Sequence, residues 1–302
     1  MPYFSYHSGH SGQFCRHARG SLEEVVQQAL AQGFTHYGLS EHCPRDRRED
    51  LYEDEAGLIP ADLERIFRDY VVEAQRLREA YAGRIELLVG FETERLPPGN
   101  WEARMAEIRG MANFDYVLGS VHDVGGRYID YSPEQTAALA TEYGGREALE
   151  VAYFDAVSDL VDTLQPDVVG HLDLIRKFDG PDAALTAGGM VRAERALEAV
   201  KAAGAVLDVN CAAHRRGLSP VYPLPSLLER ARRMGVGVTL GDDSHGPHAV
   251  GVGLDASLSA IAAAGYRELR YLARDGGVGA ARWRTVAIED VKPQLPASAS
   301  AT

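Results

Sequence analysis

Seven short apolar segments, each followed by a stretch of helical period, constrain the fold of this 302-residue chain more than any other feature. Several of them, such as LLVGF at 87–91, are apolar at consecutive positions rather than at alternate ones. Unbroken apolar runs of this length are typical of parallel strands that are buried on both faces. A closed barrel is the economical arrangement for so many parallel strands, because it leaves no sheet edge bare. The sequence therefore predicts an α/β fold, and within that class a TIM-like barrel.

The predicted elements alternate along almost the whole chain. Strands are predicted at 3–6, 36–40, 85–91, 116–121, 168–171, 205–209 and 237–241. Helices are predicted at 21–32, 60–82, 101–111, 146–164, 190–203, 224–234 and 256–263. The first helix carries a capping box, because Ser21 begins it and Glu24 follows three residues later. Since no repeat or linker interrupts the series, we predict one barrel domain over residues 1–290 and a disordered tail over residues 291–302.

Charge and cysteine content narrow the classes of function. The chain has 31 Lys and Arg against 44 Asp and Glu, a net charge of −13, which disfavours nucleic acid as a partner. No apolar run approaches the roughly 20 residues of a membrane span, so we expect no membrane association. Three widely spaced cysteines do not form a disulfide framework, which predicts a reducing, cytoplasmic location. The charged segment 45–55 is expected to be a solvated loop, with a lid role as the alternative.

Six of the ten histidines lie at the carboxyl ends of predicted strands, where barrel enzymes carry their chemistry. They are His7, His10, His42, His122, His171 and His245, and His17 follows the first pair closely. Each of them alone is more readily explained as an ordinary exposed or hydrogen-bonded histidine. Together with Glu92 and Asp243 they predict a polynuclear metal site, because imidazoles suit Zn, Fe, Mn or Co and a carboxylate can bridge two ions. Cys15 and Cys43 adjoin these ligands and serve either in packing or as a sulfur ligand.

The residues around these ligands form an ordered series of motifs. The series is HSGHSGQFCRHA at 7–18, SEHCPR at 40–45, GFE at 90–92, GSVH at 119–122, GHLDLIRKF at 170–178 and GDDSH at 241–245. Each motif is weak by itself, but their order and spacing run from residue 3 to about residue 272. The series resembles the histidinol-phosphate phosphatases of the PHP (polymerase and histidinol phosphatase) superfamily, its fungal members above all.

The resemblance implies a distorted (β/α)7 barrel with three divalent ions, which would be Zn, Fe or Mn. The implied ligands are His7, His10, Glu92 and Asp243 for the first ion, Glu92, His122 and His171 for the second, and His17, His42 and His245 for the third. It also implies that Glu41 orients a ligand and that Arg215 contacts the substrate phosphate, since a guanidinium group matches phosphate oxygens. Arg176 is a second candidate for binding the phosphate. A surface arginine without a function is an equally good explanation for it. Asp242 is expected to be a turn residue, and His36 and His248 are expected to be structural.

The function that the resemblance implies is hydrolysis of L-histidinol phosphate to L-histidinol and phosphate, with hydroxide held between the first two ions attacking phosphorus. Asp243 and Arg215 are the candidate catalytic residues, and the leaving group takes its proton from Asp243 or from metal-held water. Glu94, Asp130 and Glu53–Glu55 are candidates for binding the ammonium and imidazole of the substrate. Three alternatives stay open: another PHP-type phosphoesterase, an amidohydrolase-like metal hydrolase, and a catalytically impaired metal-binding homologue.

The impaired alternative rests on the first motif, His7-Ser8-Gly9-His10, because the family carries His-x-His there. Side chains alternate along a strand, so two histidines three residues apart point to opposite faces. A β-bulge at Ser8–Gly9 absorbs the additional residue and restores a common face, and glycine adopts the positive φ that some bulges need. We predict this bulge. In the alternative, His7 turns away and the first ion is weakened or lost.

Overall fold

The computed structural model describes residues 1–180, 183–215, 217, 221–276 and 278–293. Its strands are β1 (Phe4–Ser5), β2 (His36–Leu39), β3 (Glu86–Glu92), β4 (Tyr116–Gly119), β5 (Asp123–Val124), β6 (Arg127–Tyr128), β7 (Val168–Val169), β8 (Val206–Asn210), β9 (Gly237–Gly241), β10 (Glu268–Asp275) and β11 (Val278–Ala287). Its α-helices are α1 (Leu22–Ala31), α2 (Pro60–Ala80), α3 (Trp101–Arg109), α4 (Pro133–Glu142), α5 (Arg146–Leu164), α6 (Ala187–Ala203), α7 (Ala212–Arg215), α8 (Pro225–Met234) and α9 (Leu254–Ala263). Every strand and helix predicted from the sequence is present, with ends shifted by up to three residues.

Seven strands form one parallel sheet in the order β1-β2-β3-β4-β7-β8-β9. The two ends of this sheet meet, because the Tyr6 amide donates to the Leu240 carbonyl at 2.9 Å and the Asp243 amide donates to the His7 carbonyl at 2.7 Å. The prediction of a (β/α)7 barrel is confirmed. Closure at this point brings the segment that follows β1 next to the segment that follows β9.

Helix α1 shows how the sequence sets the outer layer. The Ser21 side chain accepts from the Glu24 amide, and the Glu24 side chain accepts from the Ser21 amide, as the capping box predicts. The buried positions of α1 are Leu22, Val25, Val26 and Ala29, which is the i, i+3, i+4, i+7 spacing of a single apolar face. The helix therefore lays this face on the barrel and leaves its acidic face in solvent.

The barrel interior is filled by side chains. Tyr116 of β4 lies across it, and its hydroxyl donates to the Tyr6 carbonyl at 2.6 Å. A Cβ atom at Gly38 of β2 or Gly90 of β3 would collide with the Tyr116 ring or hydroxyl, so these two strands carry glycine at these points. Among the described residues, side chains fill the barrel along its axis, so a ligand is expected at one of its ends.

The antiparallel hairpin β10–β11 closes the amino end of the barrel and was not predicted. The Tyr6 hydroxyl donates to the Leu272 carbonyl and accepts from the Leu272 amide, both at 2.8 Å. The Arg274 amide donates to Glu86, at the start of β3, at 2.6 Å. Helix α4 and the small hairpin β5–β6 were also not predicted. With the amino end covered, the carboxyl ends of the strands form the open mouth.

Two further expectations concern the ends of the fold. Val291 is 4% exposed, so the packed part of the chain runs beyond residue 290, and residues 294–302 of the expected tail lie outside the described part of the chain. Within the described part, no helix is both long and apolar enough to cross a bilayer.

Candidate metal centre

The Ser8–Gly9 step determines where the first two histidines point. Gly9 has a φ of +83°, as expected for the predicted bulge, and the bridges on either side pair His7 with Gly241 and His10 with His245. Both imidazoles then face Glu92: His7 Nε2 lies 3.3 Å from Oε1, and His10 Nε2 lies 3.6 Å from Oε2. The alternative in which His7 turns away is therefore wrong.

Glu92, the last residue of β3, lies at the middle of the cluster and is 1% exposed. Its Oε1 is 3.3 Å from the Nε2 atoms of three imidazoles, those of His7, His122 and His171. Its Oε2 is 3.2 Å from Nδ1 of His42. Asp243 stands opposite, with Oδ1 3.6 Å from His7 Nε2 and 3.4 Å from His245 Nδ1. A carboxylate with imidazoles on both of its oxygens has the arrangement of a bridging ligand.

The residues present fit a metal centre. Among the described residues, Nε2 of His7, Nε2 of His10, both ring nitrogens of His42 and Oε1 of Glu92 are buried without a hydrogen-bond partner. Buried polar atoms are normally paired, since an unpaired one costs about 1–3 kcal/mol. Imidazole nitrogens and carboxylate oxygens are donors that divalent transition metals accept. Within the described part of the chain, four compact donor groups have all their donor atoms within 4.8 Å of one another: His7, Glu92 and His171; His7, His10 and Asp243; His10, Glu41 and His42; and Cys15, His17, His42 and His245.

Four carboxylates stand behind the cluster, each against the Nδ1 atom of one histidine. The pairs are Asp208 with His7 at 2.7 Å, Glu41 with His10 at 3.2 Å, Glu94 with His122 at 3.2 Å and Asp54 with His17 at 3.2 Å. A carboxylate on Nδ1 fixes the tautomer of the ring and leaves Nε2 for a metal. The sequence analysis assigned this role to Glu41 alone. One of the others had a local signal, because Glu94 lies two residues after Glu92, which places both side chains on the same face of an extended segment.

The same carboxylates set the protonation of the metal-free site. Burial lowers the pKa of His7, but Glu92, Asp243 and Asp208 outweigh it and hold that pKa well above its usual value. Burial likewise lowers the pKa of His122, and Glu94 and Glu92 raise it well above the usual value. For Asp243, burial raises the pKa, but the imidazoles of His7, His245 and His171 hold it far below its usual range. A metal ion entering this site therefore displaces protons from imidazoles.

A cavity of about 340 Å³ opens over the cluster. Its far wall is formed by Tyr52, Asp54, Tyr128, Asp130, Tyr131, Leu174 and Lys177. Segment 45–55 supplies part of this wall, and the expectation that it is solvated is wrong for Arg45 and Glu55, which are 3% and 7% exposed and form an ion pair. The Arg45 guanidinium lies 4.0 Å from the centre of the Tyr52 ring, whose hydroxyl donates to Glu94 at 2.7 Å. The segment is tied to the site by these contacts.

The structure does not bring the two predicted phosphate-binding arginines to the cavity. Arg215 donates to the carbonyl groups of Asp242 and Asp243, at 2.5 and 2.8 Å, because it packs beneath the turn after β9. Asp243 has a φ of +48° in that turn, so Arg215 holds a ligand-bearing turn in a left-handed conformation. Arg176 is 2% exposed and donates to Asp173 and to the Ala183 carbonyl. Both guanidinium groups are thus hydrogen-bonded to oxygen atoms of the protein, and their assignment to the substrate phosphate stays a prediction.

Among the described residues, one basic side chain other than histidine lines the cavity. It is Lys177, which the sequence analysis did not single out. Its Nζ lies 3.0 Å from Oδ2 of Asp130. Of the other predictions, Asp242 is more than a turn residue, since it accepts from the Tyr37 hydroxyl at 3.1 Å and from the Gly251 amide at 2.8 Å. His36 lies at the start of β2, at the other end of the barrel, 3.6 Å from Glu86. It takes no part in the centre, as expected.

A parallel barrel with imidazoles and carboxylates gathered at its carboxyl mouth defines a metal-dependent hydrolase, and the donor set makes the site a divalent-metal centre. A family model described as the PHP domain matches residues 5–212, and the chain belongs to this family.

Two relatives and one solved structure place the chain more closely. It is 42% identical over 257 residues to a protein of Schizosaccharomyces pombe named "Probable histidinol-phosphatase", a match that covers 83% of each chain. It is 32% identical over 240 residues to a protein of the same name from Deinococcus radiodurans, covering 78% of this chain and 85% of the relative. A histidinol phosphate phosphatase of Lactococcus lactis, solved with zinc, L-histidinol and phosphate, has the same fold, with a TM-score of 0.68 at 20% identity over 89% of this chain and 95% of that one.

Proposed function

We propose that this protein hydrolyses L-histidinol phosphate to L-histidinol and phosphate, with three divalent ions at the barrel mouth. The observation that carries the proposal is the position of Glu92, which faces five imidazoles from both of its oxygens at the floor of a cavity of about 340 Å³. Two relatives that are 42% and 32% identical over most of their length carry the name of this activity.

The proposed ligand sets keep the division that the family motifs imply. The first ion takes His7, His10, Glu92 and Asp243, the second takes Glu92, His122 and His171, and the third takes His17, His42 and His245. When bound, divalent ions lower the pKa of attached water and neutralise charge on phosphate oxygens. The protein contributes rigidity, because the Nδ1 atoms of His7, His10, His122 and His17 are each held by a carboxylate. Zn, Fe and Mn all suit the imidazole and carboxylate donors.

Lys177 is the side chain proposed to bind the substrate phosphate from the cavity wall, in place of Arg215 and Arg176. Its ammonium group supplies a charge-assisted hydrogen bond to a phosphate oxygen, and Asp130 holds it in position. Asp243 acts as a ligand rather than as a proton donor, because the surrounding imidazoles hold its pKa far below the usual range and the carboxylate therefore stays ionised.

The organic part of the substrate carries an ammonium group and an imidazole ring. Asp54 and Asp130 present carboxylates on the cavity wall, and Tyr52 and Tyr128 present aromatic rings 4.9 Å apart. A cation is attracted both to carboxylates and to aromatic faces, and an imidazole stacks on a tyrosine ring. Glu94 is less available than the sequence analysis assumed, because it is 1% exposed, whereas the side chains of Asp54 and Asp130 are 39% and 21% exposed.

The alternatives lose support for separate reasons. The impaired homologue depended on His7 turning away, and His7 faces Glu92. The amidohydrolase-like alternative needs another bridging group, and Glu92 occupies the bridging position. Another PHP-type phosphoesterase activity remains the rival. The acidic chain and the carboxylates on the cavity wall disfavour a nucleic-acid substrate among these. Cys15, Cys43 and Cys211 are buried free thiols, which supports the proposed cytoplasmic location.

The test combines elemental analysis of metal per chain with phosphate release. Protein reconstituted separately with Zn, Fe and Mn is assayed with histidinol phosphate, and with glycerol phosphate and a dinucleotide as controls. We expect close to three ions per chain and a kcat/KM for histidinol phosphate at least about 100-fold above either control, since two recognition contacts of the organic part are each worth roughly tenfold. A fully metallated protein that is inert toward histidinol phosphate overturns the substrate, and a preference for the dinucleotide favours the rival.

A further inference from the structure

We propose that Cys15 is a fourth protein ligand of the third ion, which gives this site one sulfur and three imidazole donors and closes it to exchangeable ligands. The inference rests on the proposed three-ion centre and concerns a side chain outside the ligand set given above. It predicts that the third site differs in chemistry from the first two, whose donors are imidazoles and carboxylates.

The geometry of four donor atoms supports this site. Cys15 Sγ, His17, His42 and His245 offer donors that all lie within 4.8 Å of one another, and Sγ is 3.2 Å from His17 Nε2. A tetrahedral zinc ion with Zn–N near 2.0 Å and Zn–S near 2.3 Å needs donor atoms about 3.3–3.6 Å apart. A contraction of at most about 1.5 Å in the widest pairs therefore closes the shell around one ion.

Each of the three imidazoles has a nitrogen directed to this point. His17 is held from behind, with Nδ1 3.2 Å from Oδ2 of Asp54, which leaves Nε2 for the ion. The Nδ1 atom of His245 lies 3.2 Å from the Asp243 carbonyl, which again leaves Nε2. His42 has both ring nitrogens buried and, within the described residues, without a hydrogen-bond partner. The rings of His17 and His42 are centred 5.5 Å apart, and those of His17 and His245 are 5.0 Å apart.

The backbone presents the sulfur of Cys15 to the same point. The Cys15 amide donates to the Ser11 carbonyl at 2.8 Å, and the Cys15 carbonyl accepts from the Ala18 amide at 3.2 Å, so a turn on each side fixes the residue. The side chain is 6% exposed. The other two thiols differ, since Cys43 Sγ lies 3.9 Å from Met105 Sδ, and Cys211 Sγ lies 3.2 Å from the Val252 carbonyl. Cys43 is equally buried and supplies a matched control.

The chemistry of a closed site with one thiolate and three imidazoles follows from its donors. On binding, the thiol proton is released to solvent and a sulfur–metal bond forms, with no change of oxidation state. Thiolate favours zinc over manganese and magnesium, so the third site is expected to retain zinc under conditions in which the other two exchange. Four protein ligands are typical of a structural zinc site, whereas a catalytic zinc site keeps one coordination position open for water or substrate. The third ion is therefore expected to hold residues 11–17 against the cavity more than to take part in the reaction.

The experiment reads the metal–sulfur bond directly. Wild type, C15S and C43S are reconstituted with Co²⁺, their metal content is measured, and near-ultraviolet absorption is recorded for the thiolate-to-cobalt charge-transfer band. We expect the band in wild type and C43S, its loss in C15S, and at least about tenfold weaker retention of one ion in C15S, since even partners that only orient a ligand are worth 10- to 100-fold. X-ray absorption of the zinc-loaded wild type, which needs no variant, should show one sulfur at about 2.3 Å for every three ions.

Two results overturn the proposal. Three bound cobalt ions in wild type without the band mean that the Cys15 thiol only packs against His17, and a band that survives in C15S means that another cysteine is the ligand. Circular dichroism of C15S separates loss of the ligand from loss of the fold. Phosphate release by the wild type is measured in parallel. A protein that shows the band but releases no phosphate refutes the proposed substrate and supports Cys15 as a ligand. A protein that releases phosphate but shows no band supports the substrate and refutes Cys15 as a ligand.

Discussion

Gly9 is the residue on which the position of both His7 and His10 depends, so G9A is the most informative single change. An alanine there adopts a φ of +83°, which costs roughly 1–2 kcal/mol for a residue with a Cβ atom. Its Cβ also lies 3.0 Å from Cα of Leu39 and 3.2 Å from the Gly38 carbonyl oxygen. These are backbone atoms of β2 that cannot rotate away, and forced contacts of this kind cost about 1–3 kcal/mol. We expect G9A to lower the free energy of unfolding by about 2–5 kcal/mol.

The matched control is G83A. Gly83 has a φ of +79° with nothing within 4 Å of the added Cβ, so it carries the backbone cost without the contact. The gain from a stiffer unfolded chain is common to both variants and cancels in the comparison. Urea unfolding of the metal-free proteins, followed by circular dichroism, should place G9A about 1–3 kcal/mol below G83A. Equal losses in the two variants would refute the argument from close packing against β2, and a G9A protein as stable as wild type would refute the left-handed conformation as well.

Three further perturbations test the centre. D208N removes the charge that holds His7 Nδ1 at 2.7 Å, and it should lower the affinity for one metal ion by about tenfold in competition with a chelator. D255N, on the exposed face of α9, should leave the affinity unchanged. An unchanged affinity in D208N would contradict the orienting role of Asp208. K177M should raise KM for histidinol phosphate by roughly 10- to 100-fold at unchanged metal content. K177R should recover part of the loss, and K201M, which changes an exposed lysine, should have no effect. A normal KM in K177M would show that Lys177 does not bind the phosphate. Glu94 and Glu92 hold the pKa of His122 above its usual value against the effect of burial, and the pKa of His7 is likewise raised, so the metal-free protein keeps these protons at and above a pH of about 6.5. Zinc affinity should therefore fall as pH falls, and zinc binding should release protons. Calorimetry in buffers of different ionisation enthalpy measures this release, and its absence would contradict the assignment of these two ligands.

The parts of the fold that could be predicted are those with a local signal. The seven barrel strands are short and mostly apolar, several of them at consecutive positions, and α1 begins at a capping box that Ser21 and Glu24 form by themselves. The hairpin β10–β11 lacked such a signal. Its residues alternate between arginine and apolar types, and its place is decided by partners far away in sequence, such as Tyr6, which binds Leu272 across 266 positions. A strand that covers the end of a barrel has no periodicity of its own that distinguishes it from an exposed ribbon.

The site, like the fold, has parts that could be predicted from the sequence and parts that could not. Residues at strand ends could be predicted as neighbours, because the barrel brings all carboxyl ends of its strands to one mouth. The surroundings of the cationic side chains could not be predicted, because an arginine in a loop is as ready to bind a carbonyl group as a phosphate. Arg215 binds the carbonyl oxygens of the turn that carries Asp243, and the adjacent pair Arg176 and Lys177 separates, with Arg176 buried against Asp173 and Lys177 in the cavity. Asp208, Glu41, Glu94 and Asp54 stand directly behind the histidines, and they offset much of the charge that three divalent ions would bring. We therefore expect the binding of a dianion to depend on the nearness of the ions and of Lys177 rather than on a large net charge.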